Sequence, residues 1–116
     1  MPIKTITLLT RKTGTTLEEF KEYYEAVHAP GAIARMPALA RAEYRRNFIA
    51  EENRAGQPPV DFDVVTEMVF ADEAEWAEMR RSLADPAIAR WIAEDVERFA
   101  DPSKLRSFVV DTCSSS

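Results

Sequence analysis

The chain has 116 residues, the length of one ordinary domain, with 46% hydrophobic residues, 30% charged residues and a formal net charge of -5. That acidic balance argues against a nucleic-acid ligand, which needs a basic face, and no apolar run reaches the roughly 18 residues of a membrane span. Cys113 is the single cysteine, so no disulfide framework is expected; with no charged-then-apolar leader either, the expectation is a cytoplasmic protein.

In chain order, IKTITLLT (3–10) is rich in β-branched residues and predicts a strand. KTGTT follows as a turn. Thr16 with Glu19 then forms a capping box that opens a helix. Leu17, Phe20, Tyr24, Val27 and His28 recur at the spacing of one buried helix face. Pro30 and Gly31 weaken this helix, and Pro37 ends its short continuation over 33–36. ALARAEYRRNFIA (38–50) reads as a strand and ENRAGQPP (52–59) as an irregular loop. VDFDVVTEMVF (60–70) is the clearest strand. Val60, Phe62, Val64, Thr66, Met68 and Phe70 share one face, and Asp61, Asp63, Val65 and Glu67 the other. Asp72 caps a second helix with Trp76, Met79 and Leu83 turned inward. Asp85-Pro86 restarts helix, whose stripe is Ile88, Trp91, Ile92, Val96 and Phe99. Asp101-Pro102 ends it, and KLRSFVVDT (104–112) supplies the last strand. Arg35, Arg41, Arg45 and Arg46 form a local basic cluster, read as a solvated strand edge.

The order strand, helix, strand, strand, helix, strand is that of an α+β, ferredoxin-like βαββαβ fold with a four-stranded antiparallel sheet. One domain over 1–112 with a flexible tail at 113–116 is the expectation. The mixed second face of strand 60–70 suits contact with a second sheet.

Few residues offer chemistry. Zinc needs several His or Cys ligands at close spacing, whereas His28 and Cys113 are each alone of their kind. Asp61 and Asp63 read as a solvated strand start, short of the oxygen count calcium needs. Gly14, Gly31 and Gly56 are too scattered for a phosphate loop, and no nucleophile elbow supports a serine triad. That leaves His28 on the apolar helix face. Two readings stay open for it: a core histidine hydrogen-bonded near a helix end, or a group that transfers protons beside a pocket. Tyr23 and Tyr24 add hydroxyls that either orient a ligand or simply pack with their oxygens at the rim.

The stretch LLTRKTGTTLEEFKEYYEAVHAPGAIARMPAL resembles the opening of the EthD family, within the dimeric α+β barrel superfamily. Gly14, Thr16, Glu18, Glu19, Phe20, Tyr23, Tyr24, His28, Ala29 and Pro30 match its motif. FDVVTEMVF, with Asp63 and Glu67, is similar to the family's third strand, and FADPSKLRSFVV to its closing segment. The resemblance implies a homodimer in which two sheets face each other, with a pocket in each subunit between sheet and helices. It also implies reactions without metal or organic cofactor, as in a methylmuconolactone isomerase and in decarboxylases and dehydratases of aromatic polyketide pathways. His28 stands where such enzymes transfer protons. The family often has a tyrosine where this chain has Ala42, and Tyr44 lies two residues on, on the same strand face.

The expectation is therefore a cofactor-independent lyase or isomerase acting on a cyclic, carbonyl-bearing substrate of the aromatic polyketide or muconolactone type. His28 is the general acid/base and Tyr44 a second catalytic group. Phe20, Tyr23, Tyr24, Phe62, Thr66, Met68 and Trp91 are the candidate substrate contacts. The alternatives are a cofactor-free monooxygenase of aromatic polyketides, hinted at by Trp76 and Trp91, and a non-catalytic dimeric binding or accessory protein.

Overall fold

A computed structural model describes residues 1–50 and 60–115. Strands β1 (Ile3–Leu9), β2 (Glu43–Phe48), β3 (Val64–Phe70) and β4 (Arg106–Val110) form one sheet in the order β2-β3-β1-β4, with every pairing antiparallel. The helices are α1 (Leu17–Tyr23), α2 (Ala29–Arg35), α3 (Pro37–Arg41), α4 (Glu73–Ala84) and α5 (Pro86–Phe99), and a π-helical turn over Tyr24–His28 joins α1 to α2. The strand order and the alternation of elements are those of the ferredoxin-like α+β fold. Among the described residues no helix is long and apolar enough to cross a membrane.

Register decides which side of the sheet each residue serves. Thr7 pairs with Thr66 and Leu9 with Val64, and Leu9 and Val64 are buried in one core cluster with Phe20, Tyr24, Val96 and Phe99. Thr5, Thr7 and Leu9 of β1 therefore share the helix-facing side with Val64, Thr66, Met68 and Phe70 of β3. A second cluster gathers Ala32, Met36, Leu39, Phe70 and Met79 beneath α2, α3 and α4. The opposite face carries Ile6, Leu8, Val65, Val69 and Phe108, and Phe108 is 44% exposed there.

The α1 start behaves as its residues dictate. The Thr16 hydroxyl accepts from the Glu19 N–H at 3.1 Å, and the Glu19 carboxylate accepts from the Thr16 N–H at 2.9 Å. Asp72 and Asp85 cap α4 and α5 through their side chains in the same way.

Several expectations are corrected. Pro30 and Gly31 do not weaken the helix: Pro30 sits in the first turn of α2, where a missing N–H is tolerated. The widened π turn ahead of it turns through less angle per residue, so Val27 swings out to 44% exposure while His28, one residue on, returns to the buried side. Pro37 ends one helix at an extended Met36 and starts another, so the strand expected over 38–50 shrinks to Glu43–Phe48. The strand expected over 60–70 begins only at Val64. Before it the chain turns inward: Asp63 is buried and its Oδ2 accepts the Arg11 N–H at 2.7 Å, rather than facing solvent with Asp61. Nor is the arginine cluster a common strand edge. Arg35 and Arg41 lie on helices, Arg41 pairs with Glu75 and Glu78, and Arg46 pairs with Glu25. The loop expected over 52–59 lies outside the described residues.

Replacing Thr16 with Ala removes one half of the capping box and leaves a first-turn N–H without its partner. The expected loss is about 1 kcal/mol of unfolding free energy, read from urea denaturation with an unchanged m value.

Candidate functional site

His28 is 7% exposed and leaves the π turn towards the sheet, between α1 and α5. Its Nδ1 lies 2.7 Å from Oδ2 of Asp95, which is 2% exposed on α5. A carboxylate only accepts, so Nδ1 carries the shared proton and the neutral ring keeps its lone pair on Nε2. The other Asp95 oxygen accepts the Tyr23 hydroxyl at 2.7 Å, and Arg98 approaches that oxygen at 3.8 Å. One buried carboxylate thus fixes two side chains on the facing helix.

Ring stacking fixes the imidazole plane. Trp91 lies parallel to it at 5.5 Å and 8°, Tyr24 meets it edge-on at 5.4 Å, and the Arg35 guanidinium covers the far face of the arrangement at 4.0 Å from the Trp91 ring. Gly31 makes this possible: a Cβ there would stand 2.5 Å from the Trp91 ring, closer than any side-chain carbon settles. Burial pushes the His28 pKa down, and the hydrogen bond and charge of Asp95 only partly oppose it. The ring is therefore neutral at pH 7, with a basic nitrogen available.

A cavity of about 310 Å³ opens where the two core clusters meet, between sheet and helices. Its walls are mostly apolar, from Leu9, Met36, Leu39, Met68, Met79 and Ile92 among others, and His28, Tyr24 and Tyr44 line one part of it. The Tyr44 hydroxyl donates to that of Tyr24 over a long 3.4 Å, and the Tyr24 and Thr66 hydroxyls lie 2.8 Å apart. Burial pushes both tyrosine pKa values up, so both remain protonated donors. Leu83, Ile92, Val96 and Leu105 also border a second, more open hollow of about 350 Å³. A largely apolar hollow of this size with a few convergent polar groups is the usual form of a small-molecule site. Among the described residues no group of three or more His, Cys, Asp or Glu is arranged to hold a metal ion.

Of the residues expected from sequence, His28, Tyr24, Tyr44 and Met68 meet at this cavity. Thr66 is fully buried and reaches it only through Tyr24. Tyr23 and Trp91 stand behind His28, holding Asp95 and the imidazole plane. Phe20 is a core residue packed on Phe48 and Phe99, and Phe62 precedes β3 and lies with Leu8 at a different hollow; neither borders the cavity. Sequence reasoning missed Asp95, although a signal was present: it sits four residues after Trp91 and four before Phe99, an acidic position inside an otherwise apolar stripe. It also missed Thr5, Thr7 and Ser107, which line the cavity floor.

A single histidine makes the electrostatics measurable. The His28 NMR titration midpoint is expected below the ordinary value of about 6.5, and Asp95→Asn lowers it further by removing the opposing charge. As pH falls, the unfolded chain takes up the proton first. The stability carried by neutral His28 is therefore complete above about pH 6.5 and is lost as pH falls through the lower folded value. Urea midpoints measured between pH 7 and 5 should show this slope, and His28→Gln should flatten it.

The EthD domain profile matches residues 12–103 of the chain. No curated protein matches. Among solved structures, an EthD family protein from Bacillus halodurans is 20% identical with a TM-score of 0.63, the match covering 97% of this chain and 100% of that one. SnoaB from Streptomyces nogalater, described as a cofactor-independent oxygenase, is 15% identical with a TM-score of 0.56, covering 98% of this chain and 95% of that one. A dimeric protein of unknown function with a ferredoxin-like fold from Bacteroides fragilis is 10% identical with a TM-score of 0.56, covering 96% of both chains.

Proposed function

The chain belongs to the EthD family, and from that membership we propose that it is a cofactor-independent enzyme that moves a proton on a cyclic, carbonyl-bearing substrate through His28. The observation that carries this reading is the neutral imidazole bordering an apolar cavity, with its Nδ1 bound to Asp95 at 2.7 Å. Neutral Nε2 takes a proton from the carbon next to the substrate carbonyl. The imidazolium that forms is stabilised by Asp95, and the charge that develops on the carbonyl oxygen is met by a tyrosine hydroxyl. Tyr44 suits that part because its present hydrogen bond, at 3.4 Å, is long and easily exchanged for a better acceptor. Returning the proton to another atom gives isomerisation, and giving it to a departing β-hydroxyl, which leaves as water, gives dehydration; in a β-keto acid, loss of CO2 itself leaves the enolate, and a proton delivered to its carbon completes decarboxylation. Aromatic polyketides and muconolactones both contain such carbon acids.

A second reading is favoured by Trp76, whose ring borders the cavity, and by the likeness to a protein described as a cofactor-independent oxygenase. In it the same base generates a substrate carbanion that passes electrons to dioxygen. Oxygen uptake with hydroxylated aromatic substrates separates the two.

We also propose that two copies associate through the open sheet face of Ile6, Leu8, Val65, Val69 and Phe108, as the description of one structural neighbour as dimeric suggests. A sedimentation experiment should give a dimer, and Phe108→Asp should give a monomer because it places a charge within an apolar contact.

The proton-transfer reading is tested by deuterium uptake at the carbon next to the carbonyl of a simple cyclic ketone, 1-tetralone, in D2O. The protein should accelerate uptake, and His28→Ala should lower that acceleration about 100-fold or more, the usual contribution of a positioned acid/base group. An unchanged rate in His28→Ala would remove His28 from the reaction.

A further inference from the structure

The cavity has a second polar end that the proton-transfer reading leaves unused. Pairing across the sheet places Tyr44 beside Met68 and Met68 beside Thr5, so Thr5 lies two strands from Tyr44. At a spacing of about 4.8 Å per strand, that is roughly 10 Å along the cavity floor. Thr7 is paired with Ser107 on β4, one strand further out, and their hydroxyl oxygens lie 3.0 Å apart. Thr5, Thr7 and Ser107 all line the same cavity as His28 and Tyr44.

The state of these hydroxyls is informative. Thr5 is 5% exposed, and its hydroxyl makes no hydrogen bond within the described residues. Buried polar groups are nearly always satisfied, because leaving one without a partner costs free energy. The Thr7–Ser107 pair lies at a more exposed part of the lining; one hydroxyl donates to the other, which leaves one proton and several lone pairs for a ligand or water. Together they offer donors and acceptors of no net charge in the cavity lining. Among the described residues lining the cavity there is no lysine or arginine to balance an anion.

We infer that Thr5, Thr7 and Ser107 form a second subsite, which binds a neutral hydroxyl or carbonyl group at the far end of a fused-ring ligand whose reacting carbonyl lies at His28 and Tyr44. The substrate class is thereby narrowed to elongated, uncharged ring compounds with polar groups at both ends. This rests on the proton-transfer reading of the same cavity. Of the substrate types considered there, it favours hydroxylated aromatic ketones over lactones bearing a carboxylate.

The test compares 1-tetralone, 6-hydroxy-1-tetralone and 6-carboxy-1-tetralone by calorimetry, at a pH where the phenol is protonated. The hydroxyl compound should bind about tenfold more tightly than 1-tetralone, the effect of one well-made hydrogen bond, and the carboxylate no more tightly than 1-tetralone. Thr7→Val combined with Ser107→Ala, and Thr5→Val separately, should shrink the hydroxyl preference, read in each variant as the ratio of the two affinities. Removing both partners of a hydrogen bond leaves no orphan, so the double variant should fold. Equal affinity for the hydroxyl compound and 1-tetralone, a preference that survives in all the variants, or tightest binding of the carboxylate overturns the subsite. Deuterium uptake keeps the two readings apart. With His28-dependent uptake intact, absence of the preference in the parent protein, or its survival in all the variants, sinks the subsite alone. A preference that vanishes in the variants, without uptake in the parent protein, supports the subsite and sinks the proton transfer. If no ketone binds, both fall.

Discussion

The buried carboxylate of Asp95 is the constraint around which the candidate site is organised. It is almost fully shielded from water, yet it accepts from Tyr23 and His28 at 2.7 Å each, and burial of such a group is tolerable only when it is hydrogen-bonded in this way. Both donors come from the α1 and π-turn stretch, whereas Asp95 belongs to α5. The same two bonds therefore join α1 and the π turn to α5 on one face of the sheet, select the imidazole tautomer and hold the ring at the cavity wall. An apolar replacement at 95 would leave buried His28 and part-buried Tyr23 without their shared acceptor.

The cavity follows from how the core is divided. One cluster fills the space under α1 and the end of α5, and another fills the space under α2, α3 and α4. Tyr24, His28 and Tyr44 stand near the seam, and Tyr44 packs against both clusters. A gap lined by Leu, Met and Ile persists there, and polar atoms reach it only from the tyrosines, the histidine and the strand hydroxyls. The arrangement keeps water scarce around the imidazole, which is also why its pKa falls although a carboxylate lies within hydrogen-bonding distance.

Much of this was legible in the residues. Alternation in β1 and β3, the Thr16–Glu19 box and the Asp72 and Asp85 caps are local signals, and local signals decide where elements start. The fold order followed from them, and His28 stood out as a titratable group on an apolar face. The misreadings share a cause, because each depends on contacts distant in sequence. Residues 37–41 have helical propensity but little pattern, and packing on α4 settles their state. Asp63 turns inward to the Arg11 amide, which no period of two can reveal. Phe20 and Phe62 looked like pocket residues because they are aromatic and on the expected face, yet one is absorbed by the core and the other precedes the strand. Thr5 and Thr7 looked like ordinary strand threonines until the register set them beside Ser107 and the cavity.

The π turn has a consequence for how the chain tolerates change in length. Its widened turn holds one residue more than a regular helix would place there, and that surplus brings His28 to the buried side while Val27 points out. Point substitutions on the exposed side of this turn leave that phase alone. A single-codon deletion within 24–28 would take out that surplus and restore regular winding, leaving α1 and α2 close to their present phase. The same deletion inside the regular turns of α1 would instead rotate the segment before it by about 100° against Tyr23, Tyr24 and everything after them. The π turn is therefore the place in this helical stretch where a change of one residue in length disturbs the flanking helices least.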